Sequence, residues 1–120
     1  MNALKQKETQ TKLAKGLLDL IILQHLEKQS MHGYQLITSI RKNFGVYFGP
    51  STIYPLLGQL EKKGNLTSVW NMNSERPRKE YKLTTQGKEL LNTTQNSLLM
   101  ICQKISPEIT SKTQPPIILA

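Results

Sequence analysis

Pro50-Ser51-Thr52-Ile53-Tyr54-Pro55-Leu56-Leu57-Gly58-Gln59-Leu60-Glu61-Lys62-Lys63-Gly64 is the stretch that decides how this 120-residue chain folds. Ile53, Leu56, Leu57 and Leu60 recur at i, i+3, i+4 and i+7, the signature of one helical face that seeks a core. Ser51, Tyr54, Gly58 and Lys62 share the opposite face. That face is small, hydroxyl-bearing and basic, which suits close approach to another polar polymer. Pro50 fits the first helical position, where a missing N–H costs nothing. Pro55 removes the bond to the carbonyl of Ser51 and predicts a kink or a loosened first turn. Gly64 predicts a C′ stop.

Upstream, residues 1–11 read as a polar arm carrying Lys5 and Lys7, either frayed or an extension of the first helix. A helical pattern runs from Thr11 to about Lys28, with Leu13, Leu17, Leu20 and Ile21 on one stripe and Leu18, Ile22 and Leu26 on another. Two stripes predict a helix covered on more than one side. Residues 29–33 break it. A second helix is expected over about 33–43, with Leu36, Ile37 and Ile40 inward. Downstream, residues 66–70 and 79–83 read as two strands around a turn cluster at 71–77, a hairpin that must pack on the helices. Thr84 predicts the cap of a fourth helix over 85–105. Leu91, Thr94, Leu98, Ile101 and Ile105 form an a/d-like seam along it.

Three helices, a hairpin and a long helix give a mainly α (α+β) fold, a winged helix-turn-helix domain with a C-terminal dimerisation helix. The expected layout is a flexible basic arm over 1–10, a winged-helix DNA-binding domain over 11–84, a dimerisation helix over 85–106 and a flexible tail over 107–120.

Sixteen Lys and Arg stand against eight Asp and Glu, a formal net charge of +8. That balance favours a phosphate-rich partner or an anionic surface. The apolar run from Leu17 to Leu23 is interrupted by Asp19 and too short to span a bilayer. The single cysteine, Cys102, rules out an internal disulfide and a cysteine-based zinc site within one chain. An intracellular, cytoplasmic setting beside the nucleoid is therefore expected. Cys102 lies near the seam and reads as a small buried hydrophobe, with a cross-dimer redox role as the alternative. His25 and His32 have no carboxylate or cysteine at ligand spacing, so no metal is expected. His32 suits a loop end or a helix cap. Trp70 reads as a cover for the hairpin, with a place beside Met72 in a small-molecule pocket near the wing base as the alternative. No catalytic set is visible, and neither an enzyme nor a cofactor is expected.

A major groove admits one α-helix. On the third helix, Ser51 and Thr52 can reach phosphates or bases, Tyr54 can meet phosphate or sugar, Gly58 permits close backbone approach, and Lys62 can bind phosphate. On the hairpin, Arg76, Arg78 and Lys79 can enter a minor groove or bracket phosphates. The seam of the fourth helix predicts association with a second copy, which would present two such helices to a two-fold site.

These pieces resemble the PadR-like transcriptional regulators. The resemblance is carried by Lys15-Gly16-Leu17-Leu18, by Met31-His32-Gly33-Tyr34, by residues 49–57 with Leu60-Glu61-Lys62-Lys63-Gly64, and by residues 78–84 with Gly87. It implies a winged-helix dimer that binds palindromic double-stranded operator DNA, usually as a repressor, through the third helix and the wing. Some members of that family respond to phenolic acids or flat hydrophobic drugs at the dimer interface. The fourth helix here carries no aromatic residue, so no particular small-molecule effector follows. Two rival readings are a winged-helix protein-interaction adaptor and an architectural DNA binder with little sequence preference.

Overall fold

The apolar stripe at residues 53–60 is buried much as its spacing demands. Ile53, Leu57 and Leu60 are enclosed and Leu56 packs against them from the edge. A computed structural model describes residues 2–73 and 75–108. The elements, in chain order, are α1 (Ala3–Gly16), α2 (Leu18–Lys28), β1 (Met31–His32), α3 (Gly33–Phe44), α4 (Pro50–Lys62), β2 (Leu66–Asn71), β3 (Arg78–Leu83) and α5 (Thr85–Ile105). Residues 109–120 of the expected tail lie outside the described residues. The sheet has the order β1-β3-β2 and is antiparallel throughout. This is the winged helix that the sequence predicts.

The core lies where α2, α3, α4 and the sheet meet. Leu18, Ile22, Leu23, Leu36, Ile40, Ile53 and Leu57 are fully enclosed there. Burying each such side chain stabilises the fold by about 1.5–3 kcal/mol. Helix α4 ends as Gly64 suggests. Gly64 adopts φ 88°, its N–H donates to Glu61, and the Asn65 N–H reaches back to Leu60 at 2.8 Å. Those two bonds form a Schellman stop, a left-handed turn that glycine enters without a Cβ penalty. Helix α4 runs through Pro55 without interruption.

Three features differ from the sequence expectation. Residues 3–10 are helical, the extension rather than the flexible arm, and Asn2 caps α1 by accepting from the Lys5 N–H at 2.8 Å. The expected helix over 11–28 is two helices. The backbone leaves helical geometry at Leu17 (φ −107°, ψ 13°), whose N–H is shared between the carbonyls of Leu13 and Ala14. The first apolar stripe is therefore divided: its Leu20 and Ile21 join the second stripe in the core on α2, whereas α1 buries only Ala14 and leaves Leu4 and Leu13 exposed. Finally, the break at 29–33 contains β1, whose two residues pair with Tyr81 and Glu80.

Helix α5 starts at Thr84, which accepts from the Gly87 N–H and donates to the Gly64 carbonyl at 2.7 Å. Gly87 lies so close to the turn after α4 that a Cβ there would come within 2.1 Å of the Asn65 carbonyl oxygen. The far end of α5 loses contact with the core. Leu91 is enclosed, Thr94 and Leu98 are half-buried, and Ile101 and Ile105 are exposed.

Candidate nucleic-acid interface

Helix α4 presents Ser51, Tyr54, Gly58 and Lys62 outward, with Thr52 half-covered. Above Gly58 the chain has no atom within 4 Å of an added Cβ, so the backbone there is open to close approach. Tyr54 is 44% exposed, and its ring lies directly over Gly33 at the start of α3. A Cβ at residue 33 would fall 2.4 Å from that ring, so Gly33 is what lets Tyr54 lie flat against α3.

The wing stands on one side of α4. An open cleft of about 650 Å³ separates them, lined by His32, Tyr54, Trp70, Arg76, Arg78 and Tyr81 among others. Trp70 is 61% exposed and faces this cleft rather than covering the hairpin. It sits on β2, at the sheet's edge. Arg76 and Arg78 are exposed. Lys79 is placed differently, since its Nζ lies 3.6 Å from Glu61 on α4 and its side chain is only partly exposed.

His32 joins α3 to the wing. Its Nδ1 accepts from the Gln35 N–H at 3.2 Å, while Gln35 Oε1 accepts from the His32 N–H at 3.1 Å, a capping box at the start of α3. This is the cap that the sequence allowed. The Arg78 guanidinium lies 2.9 Å from Nε2 of the same ring. A neutral imidazole has one nitrogen lone pair, so the cap and the guanidinium compete for it. Burial, then Arg78, holds the imidazole below its ordinary value of 6.5, against an opposing pull from Glu80. His25 is a core residue: its Nδ1 lies 2.8 Å from the Ile21 carbonyl and its Nε2 3.0 Å from the Asn43 amide. No group of His, Cys, Asp and Glu among the described residues could hold a metal ion.

Beside α4, along the outer edge of α3 and the loop after it, lie exposed residues that the expected site left out. Tyr34 and Tyr47 are 69% and 60% exposed, and Arg41 lies over the Tyr47 ring at 5.9 Å. Tyr34, Thr38 and Arg41 occur at i, i+4 and i+7, and that outward stripe was the available signal. Two expectations for the seam need correction. Leu91 belongs to the core of its own chain, so it presents nothing to a second copy. Cys102 is exposed rather than buried, because α5 has left the domain by that point.

The model of the transcriptional regulator PadR-like family matches residues 22–93, more than half of the chain. The chain belongs to the PadR-like family. Among curated proteins, none matches its sequence. Solved structures place this PadR-like regulator beside a PadR-family protein of Eggerthella lenta, with 28% identity and a TM-score of 0.75 over 82% of this chain and 87% of that one. A PadR-like regulator of Bacillus cereus is 26% identical, with a TM-score of 0.72 over 82% and 97% of the two chains. The PadR of Bacillus subtilis, solved in complex with operator DNA, is 29% identical. It aligns at a TM-score of 0.60 over 64% of this chain and 44% of that one. No helix among the described residues of the PadR-like chain is long and apolar enough to cross a membrane.

Proposed function

We propose that this PadR-like regulator is a cytoplasmic homodimer that binds double-stranded operator DNA in a sequence-specific manner and represses transcription, without enzymatic activity. The observation that carries the reading is the outer face of α4. Ser51, Thr52, Tyr54, Gly58 and Lys62 lie between a wing with exposed Arg76 and Arg78 and an α3 edge with Arg41. A helix flanked on both sides by cations can enter a major groove while the flanks hold phosphates. The solved PadR–operator complex of the Bacillus subtilis relative supports the same use of the fold. The repressor role rests on the family resemblance.

Dimerisation is supported by unpartnered apolar surface. An apolar groove of about 460 Å³ runs between α1, α2 and α5, lined by Leu13, Leu17, Leu20, Ile21 and Leu98 among others. Leu4 on α1 and Leu99, Met100, Ile101 and Ile105 on α5 are exposed beyond it. A second copy of the same two helices would cover both. The two α4 helices of such a dimer would stand about one turn of DNA apart, roughly 34 Å.

A mobility-shift assay with Arg78→Ala and Tyr54→Ala tests the reading. Each should weaken binding to the selected duplex by about 1–3 kcal/mol, roughly fivefold to 150-fold. Unchanged affinity for every duplex would remove both residues from the interface. Indifference of the wild-type protein to DNA at low salt would favour the adaptor reading instead.

A further inference from the structure

We propose that Glu61 is a positioning residue that sets the wing against α4, and that it thereby sharpens discrimination between DNA sequences. The inference rests on the DNA-binding reading above. Glu61 is the one acidic residue of α4, and it lies in the last turn. Two electrostatic effects disfavour it there. A carboxylate opposes the negative end of the helix dipole, and it repels the phosphates that the surrounding cations would attract. What it gains is a grip on both strands of the wing. Its Oε2 accepts from the Ser68 hydroxyl on β2 at 2.5 Å, and its Oε1 lies 3.6 Å from Lys79 Nζ on β3. Ser68 and Tyr81 face each other across the two strands. Burial, then Glu61, then Tyr54 push the Tyr81 phenol above its ordinary range, so the carboxylate also acts on the aromatic floor of the cleft.

Other fixings hold the hairpin at its base and along the β3 edge, where β1 pairs with Tyr81 and Glu80 and His32 meets Arg78. Leu66 and Leu83 enter the core, and Thr84 and Gln86 bond the turn after α4. Glu61 adds a tie from α4 that reaches β2 as well as β3, at the level of the Ser68–Tyr81 pair. An ion pair this exposed contributes little to stability, whereas a hydroxyl donating to a carboxylate makes one of the stronger hydrogen bonds. The contribution of Glu61 is therefore the angle of the wing rather than the survival of the fold. Lys79 is held back from phosphate by the same contact, whereas Arg76, Arg78 and Lys82 on the hairpin are exposed.

Removing Glu61 should move two quantities in opposite directions, and that separates positioning from simple repulsion. The full-length protein is titrated as wild type, E61A and E61Q against the duplex that wild type selects from a random pool, and against a scrambled duplex. With E61A, affinity for the scrambled duplex should rise about threefold at low salt, and the salt dependence should steepen by about 0.9 in logarithmic slope, as Lys79 gains a phosphate. Affinity for the selected duplex should fall about tenfold, the loss of a charged hydrogen bond. E61Q keeps an acceptor for Ser68 and should stay within about threefold of the wild-type ratio. A parallel rise in both affinities, or equal ratios for E61A and E61Q, would reduce Glu61 to a charge and overturn the role.

A second readout does not need DNA. Spin labels replace Gln59 and Met72, both exposed, in a C102S background. The distance between them should spread in E61A and keep its wild-type width in E61Q. An unchanged width in E61A overturns the positioning role. If wild type discriminates between no duplexes, the proposed function falls, and the label distances still decide the part played by Glu61.

Discussion

Around α4 the exposed side chains are tied down, whereas along α1 and the second half of α5 they are not. His32 caps α3 and meets Arg78, Glu61 holds Ser68 and Lys79, and Tyr54 lies on Gly33. On the other side of the molecule Leu4, Leu13, Met100, Ile101 and Ile105 are apolar and exposed without such ties. Polar groups held in place at a surface are suited to reading a fixed pattern of donors and acceptors. Scattered exposed apolar residues are ordinary; two helices that both turn apolar residues outward beside one groove are suited to a partner. The first region is organised within one chain. The second, in the proposed dimer, is completed by a second chain.

The most severe way to break this contrast is to charge the second region. Ile101→Glu combined with Ile105→Glu should leave the helix content unchanged and shift the protein to a monomer in sedimentation. Affinity for a two-fold site should fall by about a thousandfold, towards the non-specific level. A protein that stayed dimeric would place the interface elsewhere.

Two glycine changes probe the first region at different depths. Gly87→Ala forces a Cβ onto the Asn65 carbonyl, a backbone atom that cannot step aside, and should cost about 3 kcal/mol in urea unfolding. Gly33→Ala meets the Tyr54 ring, which can swing away. It should cost less stability and lower operator affinity about tenfold, measured by titration. Equal stability losses would show that Tyr54 is as rigidly held as the backbone.

The smallest effect concerns pH. Because the folded chain holds the His32 imidazole below its ordinary value, the unfolded chain takes up protons that the folded chain refuses. The full stability is therefore present above about pH 6.5 and is lost as the pH falls below it. His32→Asn keeps an N-cap acceptor and should flatten the acid side of the stability profile relative to wild type. A profile that keeps its slope would assign the proton uptake to another group.

The elements legible in the sequence were those with local causes. Pro50 opened α4, a glycine in the left-handed region closed it, and Thr84 capped α5, each signal lying within a few residues of its effect. The break at Leu17 was hidden because both apolar stripes fit one continuous helix, and only packing shows that α1 departs. Strand β1 is two residues long and owes its existence to Tyr81 and Glu80, some fifty positions away. The outward set on α4 followed from helical spacing alone. Its restraint of Tyr54 by Gly33, and of Lys79 by Glu61, depends on contacts between elements that no local pattern encodes. Trp70 and Cys102 were misplaced for the same reason, since exposure is decided by what the rest of the chain fails to cover.

The most direct test of the dimeric reader is selection of bound duplexes from a random DNA pool by the wild-type protein. A palindrome whose half-sites are centred about ten base pairs apart is the expected result, one half-site for each α4. A degenerate preference, or no enrichment at all, would contradict it.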